Sequence, residues 1–97
     1  MSDTIGRKDD TGKDRWDLIP WQELTEVVKV LTVGAVKYAE NNWQHVPNAA
    51  TRYRAAVMRH LTAYLCGQQV DAESGLPHLA HAMCCLLFLM WGDKHGW

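Results

Sequence analysis

The segment 59–82, RHLTAYLCGQQVDAESGLPHLAHA, combines side chains that can bind metals or transfer protons. It contains three histidines and two carboxylates: His60, Asp71, Glu73, His78 and His81. Ionisable groups placed between apolar stretches are costly to bury unless they bind a ligand or one another. The pattern therefore favours a metal ion or a phosphorylated ligand as the partner of this segment.

The same residues also have a simpler interpretation. His78 and His81 are three apart, so a helix would place them on one face, and His60 can face them from a preceding antiparallel helix. Acidic residues just before a helix are favoured by the helix dipole without any ligand. A ligand site and a capped helix with hydrogen-bonded core histidines both stay open.

Glu23 and Glu26 form a second candidate, a Glu-x-x-Glu pair within a predicted helix. Such pairs can chelate a divalent cation between the helices of a bundle. Solvation at the surface is the alternative, and it is favoured for Glu26. We expect Glu23 to lie nearer the apolar stripe of the helix.

Basic and aromatic residues form a third candidate, a nucleotide-binding surface. The stretch KDDTGKDR places Lys8, Lys13 and Arg15 around a glycine, where they could fold over phosphate groups. Further cations and stacking rings could complete the pocket: Lys37, Arg52, Arg59, Tyr38, Trp43 and Tyr53. A disordered charged tail and aromatic residues buried in a core are the alternatives.

Two amphipathic helices are predicted in the first two thirds of the chain. Apolar residues recur at three- and four-residue spacing from Pro20, which suits a first helical turn, to Tyr38. Gly34 within this helix suggests the close approach of another backbone. Asn48 can cap a second helix over about 49–66.

A third helix is predicted from Leu76 or Pro77 to Trp91, followed by a frayed tail. It is apolar nearly all round, as expected for a helix in the middle of a bundle or in a subunit interface. Gly67 suits the left-handed position after the second helix. No β-strand pattern is visible, so the fold class is all-α.

The composition indicates a single small domain. The chain has 97 residues, of which 47% are apolar, and a formal net charge of −1. So short a chain buries its apolar surface only in part, so we expect a small bundle of three main helices completed by homo-oligomerisation. Residues 1–15 are predicted to be an irregular charged loop or tail, and 16–93 the helical core. The charge argues against nucleic acid as a partner.

Neither a membrane nor an oxidising compartment is expected. The apolar run 76–91 has 16 residues, short of the roughly 20 that a membrane span needs. No signal peptide is visible in the polar residues 1–15. The cysteines are odd in number and lack zinc-site spacing, which indicates buried free thiols in a reducing cytoplasm: Cys66, Cys84 and Cys85.

Three stretches together resemble a known family. GRKDDTGKDRWDLIPW, LTVGAVKYAENNW and RHLTAYLCGQQVDAESGLPHLAHA are similar to the phage-encoded dATP/dGTP diphosphohydrolase N-terminal family, over about residues 6–93. This family is commonly placed near the all-α NTP pyrophosphatases, the MazG-like group. The resemblance implies hydrolysis of a dNTP to dNMP and pyrophosphate with Mg²⁺ or Mn²⁺, in the cytoplasm of a bacterial host.

The resemblance also implies roles for particular residues. All-α pyrophosphatases hold metals with Glu-x-x-Glu on one helix, which Glu23 and Glu26 match, and Glu-x-x-Asp on the next. The second predicted helix has no such pair, and Asp71 and Glu73 are its nearest substitutes. We expect catalysis by Asp71, Glu73 and His60, and metal binding by Glu23, Asp71, Glu73 and His81. We expect nucleotide binding by Lys8, Lys13, Arg15, Lys37, Tyr38, Trp43, Arg52, Arg59 and His78.

A non-catalytic binder is the alternative function. The same pocket could sequester a nucleotide immune signal, cyclic or ADP-ribose-derived, and so counter host anti-phage defence without any cofactor. The incomplete acidic pairs favour this sponge, whereas the cluster of His, Asp and Glu favours the enzyme. A purely structural helical oligomer is a third interpretation, which the charged segment and the clustered histidines make less attractive.

Overall fold

The computed structural model describes residues 4–97 and contains three α-helices. The helices and two short 3₁₀ turns follow one another along the chain: Trp16–Leu18, α1 (Trp21–Lys37), Asn42–His45, α2 (Ala49–Leu65) and α3 (His78–His95). Within residues 4–97, β-structure is limited to an isolated bridge between Val70 and Pro77. The predicted all-α class and the three main helices are confirmed.

The starts of α1 and α2 differ slightly from the sequence prediction. Pro20 precedes the first turn of α1 instead of occupying it. Asn48 does precede α2, but its backbone is left-handed with φ 55°, and its side chain makes no capping hydrogen bond within the described chain. The position of this cap was predicted correctly, but its mechanism was wrong, because the side-chain oxygen of Asn48 accepts no hydrogen bond from the first turn of α2. Gly67 has φ +93° after α2, as predicted.

The C-terminal end of α3 differs more from the sequence prediction. The helix continues to His95, so the prediction of a frayed tail after Trp91 is wrong. Gly96 ends the helix in the left-handed conformation, with φ 86°, and the Trp97 amide donates to the carbonyl of Gly92. This folds the Trp97 ring onto Gly92, where a Cβ atom would collide with it. The absence of a side chain at Gly92 therefore allows the tail to pack.

The helix α3 packs against both α1 and α2, as its apolar sequence predicted for a central helix. Val27 of α1 meets Ala80 and Cys84 of α3 in the buried core, and the Cys84 thiol donates to the Val27 carbonyl over 3.4 Å. The partly buried residues Leu24, Val30, Leu31 and Phe88 surround this core. Gly34 takes no part in a close approach, because a Cβ there would meet no atom of the described residues within 4 Å.

Much apolar surface stays exposed, for example Val36 at 84% and Leu65 at 80%. The radius of gyration is 18.3 Å, against about 13 Å for a compact domain of 100 residues, and residues 5–15 are exposed throughout.

Cys84 and Cys85 are buried as predicted, but Cys66 is exposed because it follows the last turn of α2. None of the helices in residues 4–97 combines the length and the apolar character that crossing a membrane requires.

Candidate functional site

Three histidines meet where α2 ends and α3 begins. The Nδ1 atoms of His60 and His78 are 2.8 Å apart, and the rings of His60 and His81 stack with centroids 4.6 Å apart and planes 10° apart. Tyr53 of α2 contacts Phe88 at the other end of α3, so the two helices run antiparallel. This confirms the prediction that His60 faces the other two histidines from the preceding helix.

The turn between the two helices fixes a carboxylate beside these rings. Asp71 Oδ2 accepts a hydrogen bond of 2.9 Å from the backbone amide of Ser74, and the Asp71 amide donates to the Leu76 carbonyl. The Ser74 Oγ atom accepts from the Leu76 amide and lies 2.7 Å from Nε2 of His81. Asp71 Oδ2 is itself 3.9 Å from that nitrogen. The turn therefore sets the positions of both Asp71 and His81.

Ser74 was missed by the sequence prediction. It carries no charge, so it did not stand out among the ionisable residues. Its signal was the Asp71-x-x-Ser74 spacing before Gly75, since Asp side chains commonly bind backbone amides in turns and glycine allows the φ of +72° found there.

His60, Asp71 and His78 together have the arrangement of a metal-ligand set. One ligand atom from each residue can be chosen so that the three lie within 4.8 Å of one another. His78 is buried, with 8% of its surface exposed, and the other two are half-buried. Nitrogen and carboxylate donors at this spacing and burial fit a divalent ion.

The protonation states of the cluster suit ligand binding. Burial lowers the pKa of His60 below the ordinary 6.5, and the charges of His81 and His78 lower it further. Burial also lowers the pKa of His81, against the opposing effect of Asp71. Burial alone would raise the pKa of Asp71, but the hydrogen bonds from Ser74 and the nearby histidines lower it overall. Near pH 7, His60 and His81 are therefore neutral and Asp71 is ionised.

Glu73 is engaged elsewhere, although it lies only two residues from Asp71. Its Oε1 atom is 2.7 Å from the ammonium of Lys37, and its side chain is 77% exposed. Hydrogen bonding to Glu73 raises the pKa of Lys37, whose ammonium also lies 5.1 Å from the ring centroid of Tyr38. The C-terminus of α1 therefore lies beside the turn that carries Asp71.

The predicted Glu-x-x-Glu pair does not join this cluster. Glu23 is exposed in the first turn of α1, so the expectation that it lies nearer the core than Glu26 is wrong. Glu26 is half-buried and pairs with Lys29 over 3.1 Å. Among residues 4–97, the three-residue group at metal-ligand spacing is His60, Asp71 and His78, and it contains neither Glu23, Glu73 nor His81.

The predicted nucleotide-binding cations are exposed but dispersed. Lys8, Lys13 and Arg15 lie in the irregular N-terminal segment, and Arg15 forms two hydrogen bonds with Asp17. Arg59 is exposed next to His60, near enough to contribute to the lowered pKa of that ring. Arg52 is exposed near the start of α2 and reaches the Pro47 carbonyl over 3.4 Å.

Two of the predicted stacking rings belong to an aromatic cluster away from the histidines. Trp43 stacks on Phe88 with centroids 4.4 Å apart, and Tyr53 stacks on Trp97 with centroids 5.7 Å apart. These rings occupy the opposite end of the α2–α3 hairpin, where they pack together as core residues do. Tyr38 is 64% exposed, so its ring is the more available of the predicted stacking residues.

The comparisons with known proteins identify the family. Residues 3–96 match the family described as dATP/dGTP diphosphohydrolase, N-terminal, and the chain belongs to this family, which confirms the resemblance. Over 86 residues the chain is 38% identical to the dATP/dGTP diphosphohydrolase of Salmonella phage PMBT28. The match covers 89% of this chain and 29% of that relative, so the chain spans less than a third of the relative's length. No solved structure matches the chain.

Proposed function

We propose that this chain binds a purine deoxynucleoside triphosphate and hydrolyses it, with a metal ion, to the monophosphate and pyrophosphate. Family membership and the name of the phage relative support the substrate class. The observation that carries the proposal is the half-buried His60–Asp71–His78 group. It combines the ionised carboxylate of Asp71 with the neutral imidazole of His60, and the exposed Lys37 and Tyr38 lie beside the turn that carries Asp71.

The reaction needs charge neutralisation and a proton acceptor. Attack by water forms a bond from its oxygen to the α-phosphorus, breaks the α–β anhydride bond and releases pyrophosphate, while the water proton passes to a base. The neutral imidazole of His81, which lies outside the three-residue ligand group, can accept this proton. A divalent ion bound with the phosphates, expected to be Mg²⁺ or Mn²⁺, would neutralise the developing charge. Asp71 is its protein ligand in this proposal.

The C-terminus of α1 supplies the nearest contacts for the nucleotide. The Lys37–Glu73 pair is exposed, and exposed ion pairs contribute little stability. Lys37 can therefore exchange Glu73 for a phosphate at small cost, while the exposed Tyr38 ring stacks on the base. Arg59 adds positive charge next to His60, and the mixed-charge N-terminal segment with Lys13 and Arg15 is proposed to fold over the phosphates.

Incubation with dATP or dGTP tests the proposal directly. The protein is mixed with each nucleotide in Mg²⁺, Mn²⁺ or EDTA, and free and heat-released nucleotides are separated by chromatography. We expect metal-dependent dAMP or dGMP with pyrophosphate. Asp71→Asn is expected to reduce the rate at least about 100-fold, as loss of a positioned acid–base or metal-binding group does. Asp93→Asn is the matched control, because Asp93 is exposed near the end of α3.

The same experiment separates the enzyme from the sponge. Depletion of a nucleotide from solution without metal, followed by its intact recovery on heating, would contradict hydrolysis and support sequestration. In that case cyclic and ADP-ribose-derived nucleotides become the ligands to compare. Neither binding nor hydrolysis of any of these nucleotides would refute both functions.

We also propose that the chain works as a homo-oligomer. Four apolar residues of α3 are 41% to 62% exposed, and their spacing of four, three and four residues matches a helix-pairing seam: Leu79, Met83, Leu86 and Met90. A second copy that covers this seam would remove a large apolar stripe from water. Light scattering at micromolar concentration is expected to give at least a dimer, and a monomer would contradict the proposal.

A further inference from the structure

We infer that His60, His78 and Asp71 form a site for a late first-row transition-metal ion, the class of Zn²⁺, Co²⁺ and Fe²⁺, and that this site discriminates against Mg²⁺. The inference deepens the proposed function and rests on it for the catalytic role of the ion, since Asp71 belongs both to this metal site and to the proposed active site. It concerns an ion held by the protein, as distinct from Mg²⁺ or Mn²⁺ that arrives with the phosphates.

The distances bring the two imidazole nitrogens close to the spacing of a shared ion. The Nδ1 atoms of His60 and His78 are 2.8 Å apart. Two nitrogens bound to one tetrahedral zinc at 2.0–2.1 Å lie about 3.4 Å apart. An opening of about 0.6 Å therefore converts the His–His hydrogen bond into shared ligation. Asp71 can supply the third ligand after a small approach, because one ligand atom from each of the three residues lies within 4.8 Å of the others.

The donor set decides the class of ion. Imidazole nitrogen suits zinc and the other late first-row ions, whereas Mg²⁺ prefers six oxygen ligands in octahedral geometry and keeps several waters. Two of the three donors here are nitrogens. Two histidines and one carboxylate also leave coordination positions open for water or a phosphate oxygen.

Neighbouring groups hold two of the three ligands, Asp71 and His60, in position. The Ser74 amide fixes Asp71, and Ser74 Oγ contacts His81, whose ring stacks on His60. Hydrogen-bonded supporting groups of this kind orient metal ligands in proteins. Ser74 and His81 therefore position the ligands and are not themselves part of the ligand set.

Metal titration of the untagged, EDTA-treated protein tests the inference. Calorimetry is run with Zn²⁺, Co²⁺ and Mg²⁺, and the visible spectrum of Co²⁺ reports its coordination by nitrogen. We expect one Co²⁺ per chain, bound at least about 100-fold more tightly than Mg²⁺. His60→Gln is expected to weaken Co²⁺ binding by at least about 10- to 100-fold. His45→Gln is the control, because His45 is exposed in the second 3₁₀ turn.

The unsubstituted protein provides a second readout if His60→Gln fails to fold. Bound Co²⁺ should shift and broaden the ring signals of His60 and His78 in NMR spectra and leave those of His45 sharp. Equal affinity for Co²⁺ and Mg²⁺, or unaffected ring signals, would overturn the inference even if dNTP hydrolysis with Mg²⁺ persists. Tight Co²⁺ binding at these rings without dNTP hydrolysis would support the inference and overturn the proposed function alone.

Discussion

Replacement of Val27 by Ala measures how much the α1–α3 contact contributes to the fold that carries the site. Val27 is 1% exposed and packs against Ala80 and Cys84. The substitution removes two methyl-sized groups, which corresponds to about 1.6 kcal/mol of transfer free energy. The neighbours belong to a helix and relax only in part, so the cavity raises the expected loss to about 2–3 kcal/mol.

The control is Val36→Ala in the same helix, where the side chain is 84% exposed. Both substitutions remove a β-branched residue from α1 and therefore change helix propensity equally. Val36→Ala is expected to change the free energy of unfolding by less than about 0.5 kcal/mol.

Urea denaturation checks both values. We expect a lower midpoint for Val27→Ala with an unchanged slope, since a changed slope would mean a change in the surface exposed on unfolding. In thermal unfolding, the loss corresponds to a fall in Tm of about 8–20 °C for a domain of this size. Equal losses for the two variants would refute the assignment of the α1 face that packs on α3.

Three further predictions concern the tail, the thiols and the histidines. Gly92→Ala is expected to displace the Trp97 ring, seen by near-UV circular dichroism, and to lower the free energy of unfolding in urea by about 1–3 kcal/mol. The control, Gly34→Ala, has open space around its Cβ and should raise the free energy of unfolding by up to about 1 kcal/mol. Burial raises the pKa of Cys84 to about 12 and of Cys85 to about 11; a thiol reagent at pH 8 should therefore label only the exposed Cys66 rapidly and all three thiols in urea, and three equal rates in the native protein would contradict this. Because the pKa values of His60 and His81 lie below the ordinary 6.5, unfolding takes up protons, so in EDTA the free energy of unfolding should fall as the pH drops from 6.5 through the lowered values. His60→Gln should flatten this fall and His45→Gln should not.

The helices could be predicted from sequence because periodicity and apolar runs dominate there. The ends of α1 and α2 came out within a residue or two, where Pro20, Asn48 and Gly67 mark the chain. The end of α3 carries a local signal that the prediction overlooked, since Gly96 follows the helix in the left-handed conformation as Gly67 follows α2. The packing of the Trp97 ring near Trp43 could not be predicted, because these residues are far apart in the sequence.

The site was predictable in part for a related reason. The i, i+3 spacing of His78 and His81 fixes their common face, and antiparallel pairing brings His60 to it. Glu73 shows the limit of such reasoning. It lies two residues from Asp71 in the same turn, but the spacing does not reveal that its side chain is directed away from the histidines. Its direction is set by Lys37, which lies 36 positions earlier in the chain.

The two ends of the α2–α3 hairpin differ in chemistry. At one end, aromatic rings stabilise the domain through stacked and edge contacts among Trp43, Tyr53, Phe88 and Trp97. At the other end, imidazoles and a carboxylate replace apolar side chains at half-buried positions, where such groups are costly unless they are satisfied. Hydrogen bonds of the turn 71–76 satisfy Asp71 and His81, and His60 and His78 bond to each other, so the cluster can form before any ligand binds. A site organised in this way binds without the entropic cost of ordering its ligands, and this is the physical reason to look for a metal and a nucleotide at this end of the hairpin.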